Sequence, residues 1–85
     1  VSADPNAGLR ESAARRHPSV KSAARWLEVN SRLQGDQLQV AGLFRAMACD
    51  LLEWIDGDDP ELTRALVLLT QAKDAAVRAS IADAE

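Results

Sequence analysis

One cysteine, one histidine and no tyrosine occur in these 85 residues. The lone Cys49 excludes an intrachain disulfide, and with His17 as the sole imidazole a Cys/His zinc site is out of reach. No run of about 18 apolar residues occurs, so no segment reads as a membrane-spanning helix. The chain has no Gly-rich phosphate loop, no nucleophile elbow and no paired-acid motif. It therefore reads as a non-enzyme that needs no metal or cofactor. Asp56, Asp58 and Asp59 resemble a calcium loop only in composition. They lack the ligand series and closing glutamate of an EF-hand, and turn and capping chemistry accounts for them better.

These absences bear on stability. A chain this short makes one domain at most and buries only about 60% of the surface its unfolded form exposes. Disulfides, metals and oligomerisation are the usual supports, and only the last remains. Net charge is −3 and unevenly spread. Residues 1–32 carry Arg10, Arg15, Arg16, Lys21, Arg25 and Arg32 against Asp4, Glu11 and Glu28. Residues 33–85 carry four basic and ten acidic side chains. One reading is head-to-tail or interchain pairing plus ordinary solvated faces, and the sharper one is a basic collar that attracts an anion. The acidic balance opposes binding of duplex nucleic acid, which needs a dense basic footprint. The opening residues Asp4, Pro5, Asn6 and Gly8 are polar and do not read as a secretion signal, so a cytoplasmic protein is the expectation.

All periodic segments are helical, and the expected class is all-α. Residues 1–18 read as a flexible or partly helical segment, loosely tied over 1–8, ahead of a helical domain over 19–85. Leu9 to Arg16 allow one or two helical turns, which Pro18 interrupts by removing a donor and pushing His17 out of the α region. Ser19 or Ser22 is then expected to cap a short helix running to about Val29. Its apolar positions are Val20, Ala23, Ala24 and Leu27, with Trp26 as a further candidate. Asp36 is the expected N-cap of the next helix, over about 36–56. Val40, Leu43, Phe44, Met47, Ala48, Leu51, Trp54 and Ile55 form its broad stripe. Gly57 stands where a left-handed residue ends a helix. Asp59 caps and Pro60 opens the last helix, over about 59–81. Asp74 and Arg78 are spaced as an i, i+4 ion pair on it. The short connection makes the two long helices an antiparallel hairpin. The expected architecture is a short N-terminal helix followed by that hairpin.

Leu62, Ala65, Leu66, Leu69, Ala72, Ala76 and Val77 make the stripe of the last helix. Gly42, Cys49 and Leu52 fall outside the stripe of the first long helix, and Val67 and Leu68 outside that of the second. One hairpin partner covers one stripe per helix. The leftover residues need either the N-terminal helix or another chain, since each large side chain left wet forgoes roughly 1.5–3 kcal/mol. Self-association is the expectation. His17 reads as a solvated loop residue and Cys49 as a buried, inert thiol. Arg45 lies at the edge of the long stripe beside Cys49 and Leu52, either paired with a neighbour's carboxylate or offered to an anion. Trp26 lies next to Arg25, and a tryptophan among arginines is able to stack on a base as well as to anchor a core.

The run Pro60-Glu61-Leu62-Thr63, with Ala65-Leu66, Leu69 and Gln71 to Ala79, resembles the closing helix of small proteins of actinobacterial phages. Arg25-Trp26 and Leu38-Gln39 resemble their openings. These in turn resemble the phage anti-CBASS protein 2 family, over about residues 25–80. Members of that family are sponges that bind cyclic oligonucleotide signals of bacterial immunity and withhold them from the effector. The resemblance implies a short helix plus a long hairpin assembled as a hexamer. It also implies a cyclic dinucleotide held between subunits by a lysine on the first long helix and an aromatic residue before it. Arg45 falls at the lysine position, and Asn30 at the aromatic one, with Trp26 one turn away. A second pocket, for cyclic trinucleotides, would use an arginine near the start of the last helix. Pro60 occupies that place, with Arg64 one turn on. For the phosphates and bases of such a ligand the chain offers Arg25, Arg32 and Arg45 around Trp26. Two other readings compete: a small helical module that inhibits a host protein through its apolar face, and a nucleic-acid-binding module using the basic first third.

Overall fold

The computed structural model describes residues 4–30 and 32–83. They form four helices, α1 (Ala7–Ala13), α2 (Pro18–Arg25), α3 (Gly35–Trp54) and α4 (Pro60–Asp83), and no strand occurs among the described residues. The protein is all-helical, with two short helices rather than one ahead of the long pair.

Each boundary has a local cause. His17 precedes a proline and is held extended, at φ −54° and ψ 145°, which is also the backbone shape of an N-cap. Its Nδ1 accepts from the Ser19 N–H at 3.1 Å, so His17 caps α2 in place of Ser19 or Ser22 and is not a plain loop residue. Helix α2 stops at Arg25, short of Val29. The Leu27 and Glu28 N–H groups turn back to the carbonyls of Ala24 and Arg25, and this tighter turn lets Leu27 and Val29 both enter the interior. Helix α3 starts at Gly35, whose φ of +58° is a left-handed conformation that glycine adopts freely. Gln34, not Asp36, is the N-cap, and Asp36 sits in the first turn, where its charge suits the helix dipole. The Asp59-Pro60 expectation holds. Asp59 Oδ1 accepts from the Glu61 N–H at 2.8 Å, and its carbonyl accepts from Leu62 at 2.9 Å.

The end of α3 is handled differently from the sequence expectation. Gly57 has no positive φ. The carbonyls left over at a helix C-terminus need donors, and Arg16 supplies them. Its Nη1 donates to Leu52 O at 3.2 Å, and its Nη2 to Ile55 O at 2.8 Å and Gly57 O at 2.7 Å. Its Nε bonds Asp58 Oδ1 at 2.9 Å, and the Asp58 carboxylate also accepts from the His17 N–H. The planar fork of arginine suits such multiple acceptance.

Helix α1 packs on α3 and on α2, α2 on α4, and α3 on α4. The two short helices thus cover one side of the long pair. Leu9, Ala13, Val20, Ala24, Leu27, Ala48, Leu52, Leu62 and Leu66 form the core between the layers. The alanines let the helices approach closely, and the leucines fill the spaces. Asn6, expected in a loose end, is buried: its side chain pairs with the backbone of Val29 in both directions.

The stripe read along α3 is turned by about a quarter of a revolution from the buried one. Ala41, Ala48 and Leu52 are buried, with Phe44, Cys49 and Leu51 packed beside them. Leu43, Met47 and Trp54 are exposed, Trp54 at 83%. Leu52 finds its cover in α1, which the sequence left as one of two options. The physical reason is that α1 adds a second partner to α3 and pulls the buried face towards itself. On α4, Val67 and Leu68 stay exposed, as read.

Candidate functional site

Arg45 is half-buried on α3, one turn before Cys49. Its Nε is buried with no hydrogen-bond partner, and no described group accepts from its guanidinium. A buried guanidinium donor without an acceptor is costly, because desolvation is not offset. Burial pushes the neighbouring Cys49 thiol up from its ordinary value, while the Arg45 charge pulls it the other way and Asp50 adds to the rise. The thiol is thus kept protonated and has little nucleophilic character. Arg45 is the position at which a cationic side chain, partial burial and a missing acceptor coincide among the described residues.

Two hollows lie elsewhere. An open groove of about 500 Å³ runs along α1 and α2, lined by Arg10, Lys21, Ser22, Arg25 and Glu28 among others. Arg10 is already engaged with Asp4 and Glu28, bonds that raise its pKa further and leave its charge neutralised locally. Lys21 and Arg25 have no described ion-pair partner, so the free positive charge of this groove is theirs. A smaller hollow of about 310 Å³ is lined by Asn30, Leu33, Lys73, Asp74, Val77 and Arg78. Asp74 and Arg78 share it without the ion pair within 4 Å that their spacing had suggested.

The six residues singled out by sequence are not gathered into one site within a chain. Trp26 and Asn30 are neighbours of one side chain, Lys73, whose Nζ donates to the Trp26 carbonyl and which lines the hollow with Asn30. Trp26 is 69% exposed. The Asn30 carboxamide is occupied locally, accepting from the Arg32 N–H at 2.9 Å, and Arg32 is exposed. Arg25 belongs to the other groove. Arg64 is exposed in the first turns of α4, and neither Arg45 nor Arg64 lines either hollow.

Lys21 and Lys73 were missed by the sequence reading. Lys73 left a signal: it stands on the buried stripe of α4 with Leu62, Leu66, Leu69 and Val77, an odd place for a lysine unless it reaches an acceptor. Lys21 left none beyond its charge. Comparison of the chain with protein-family models, curated proteins and solved structures gives no match.

Proposed function

We propose that this is a phage anti-defence protein that binds cyclic oligonucleotide second messengers, cyclic dinucleotides first and cyclic trinucleotides second, and sequesters them without hydrolysis. In this reading α3 and α4 form an antiparallel hairpin, several chains assemble, as a hexamer by the resemblance, and the ligand sits between subunits in the cytoplasm of the bacterial host. The observation that carries it is the orphaned Arg45 Nε. A phosphate diester from a ligand held between chains supplies the missing acceptor, and a charge-assisted bond of this kind is about twice as strong as a neutral one.

The dispersal of the other cations and of Trp26 over separate surfaces fits the same reading. A cyclic dinucleotide presents two phosphates and two flat bases, and subunit contacts would bring together what one chain holds apart. Trp26 offers an exposed ring for a base, and Lys21 and Arg25 offer uncommitted charge. Sequestration needs affinity and copy number rather than a reactive group. Titration calorimetry of the intact protein against a panel of cyclic di- and trinucleotides tests the proposal. Binding of at least one member is expected, and Arg45→Ala should weaken it by about tenfold or more. Failure of every member to bind overturns the function, and unchanged affinity in the variant overturns the site.

A further inference from the structure

One side of the α3–α4 pair is covered by α1 and α2, and the opposite side is bare and apolar. On α3 it carries Leu43 (64% exposed), Met47 and Trp54, spaced four and seven residues apart and so aligned along one edge of the helix. On α4 the exposed residues at matching spacing are Leu68 and the alanines Ala72, Ala75 and Ala79. A ridge of large side chains thus runs beside a shallow alanine groove. We propose that this face binds a second copy of the same chain, with the ridge of each α3 lying in the alanine groove of the other α4.

The inference rests on the antiparallel reading of α3 and α4 and is independent of any ligand. In an antiparallel pair, residues equally far from the turn lie side by side. Met47 is then level with Leu68, Leu43 with Ala72 and Val40 with Ala75. A two-fold axis parallel to the helices places α3 of one copy over α4 of the other at the same level, so Leu43 meets Ala72 and Val40 meets Ala75, Met47 packs against Leu68, and each contact occurs twice. The four long helices then make a bundle in which every neighbour is antiparallel.

Charge on the flanks selects the same arrangement. Asp50 borders the ridge on α3, and Arg64 borders the groove on α4, again equally far from the turn. Asp36 and Arg78 repeat the relationship at the far end. None of these four has an ion-pair partner among the described residues. The dimer sets carboxylate against guanidinium at both levels. The alternative two-fold, with α3 over α3, would set large against large and acid against acid. Size is adequate as well. Twenty residues of helix span about 30 Å, and two helices at ordinary spacing present about 20 Å of width. The footprint is on the order of 600 Å² per copy, about 1,200 Å² in total, the lower end of stable interfaces.

Sedimentation equilibrium on the whole chain tests this. A dimer, or an even multiple of it, is expected. Met47→Glu and Asp50→Arg should each weaken association by about tenfold or more, with helical circular dichroism retained. Combining Asp50→Arg with Arg64→Asp should restore it, which a folding defect would not allow. A monomeric wild-type protein overturns the proposal. So does an assembly indifferent to both single variants, or a charge-swapped pair that fails to recover. Nucleotide binding is read separately by calorimetry, so loss of the ligand reading leaves this result standing, and the converse holds.

Discussion

The side chain of Asn6 and the backbone of Val29 close a ring of two hydrogen bonds: Asn6 Nδ2 donates to Val29 O at 3.0 Å, and Val29 N–H donates to Asn6 Oδ1 at 2.6 Å. A carboxamide offers a donor and an acceptor side by side, the two halves of such a pair. The bond joins the entrance of α1 to the exit of α2, and both partners are buried.

Asn6→Asp removes the donor and sets a carboxylate against the Val29 carbonyl. Asn6→Leu leaves both peptide groups unsatisfied. Each should cost about 1–3 kcal/mol, measured by urea unfolding as a fall in midpoint with unchanged slope.

Arg16→Lys should be nearly as harmful as Arg16→Ala. Three carbonyls and the Asp58 carboxylate accept from the guanidinium, whose side chain is only 12% exposed. The lysine ammonium is a compact point charge and has no fork to span them. A loss of about 2–3 kcal/mol is expected for either variant, by the same measurement.

Glycine positions separate cleanly. At Gly35 an added Cβ meets nothing within 4 Å, but φ is +58°, so Gly35→Ala should cost about 1–2 kcal/mol through backbone strain alone. Gly57 has equal space and no positive φ. Gly57→Ala should be neutral or stabilising by up to about 1 kcal/mol. Thermal melts of the two variants should move in opposite directions, or only the first should move.

Cys49 reports on Arg45. Burial raises its pKa above the usual 9.0, and the Arg45 cation limits the rise. In the native state the thiol binds its proton more tightly than in the unfolded chain. Stability should therefore be constant below the ordinary thiol value and fall as pH climbs beyond it. Arg45→Ala removes the restraining charge, so the pKa rises further. The pH profile of alkylation by iodoacetamide should shift upward relative to wild type, and an anion bound at Arg45 should shift it the same way.

How much of this was legible in the sequence depended on distance along the chain. Asp59-Pro60 announced the start of α4 because capping is settled by neighbours. The left-handed glycine was assigned to Gly57 when it is Gly35, because the carbonyls at the end of α3 are served by Arg16, 36 to 41 residues earlier. The face of α3 was misread for a related reason. Apolar residues occur nearly all round that helix, so periodicity alone does not say which edge meets α1. Arg45 stood out from sequence because a cation among apolar neighbours is anomalous. Lys73 carries the same anomaly on the stripe of α4, but its acceptor, the Trp26 carbonyl, lies 47 residues away and is not legible from neighbours.

The Arg16 fork also determines how the molecule opens. It ties the corner between α1 and α2 to the last turn of α3 and to the loop before α4, so none of these can fray alone without stripping the others of hydrogen bonds. The fold should behave as one cooperative unit. Amide hydrogen exchange at Val20, Leu52 and Leu62 should converge on a single opening free energy in the native protein. In an Arg16→Ala variant, α1 should exchange early as a separate, looser layer.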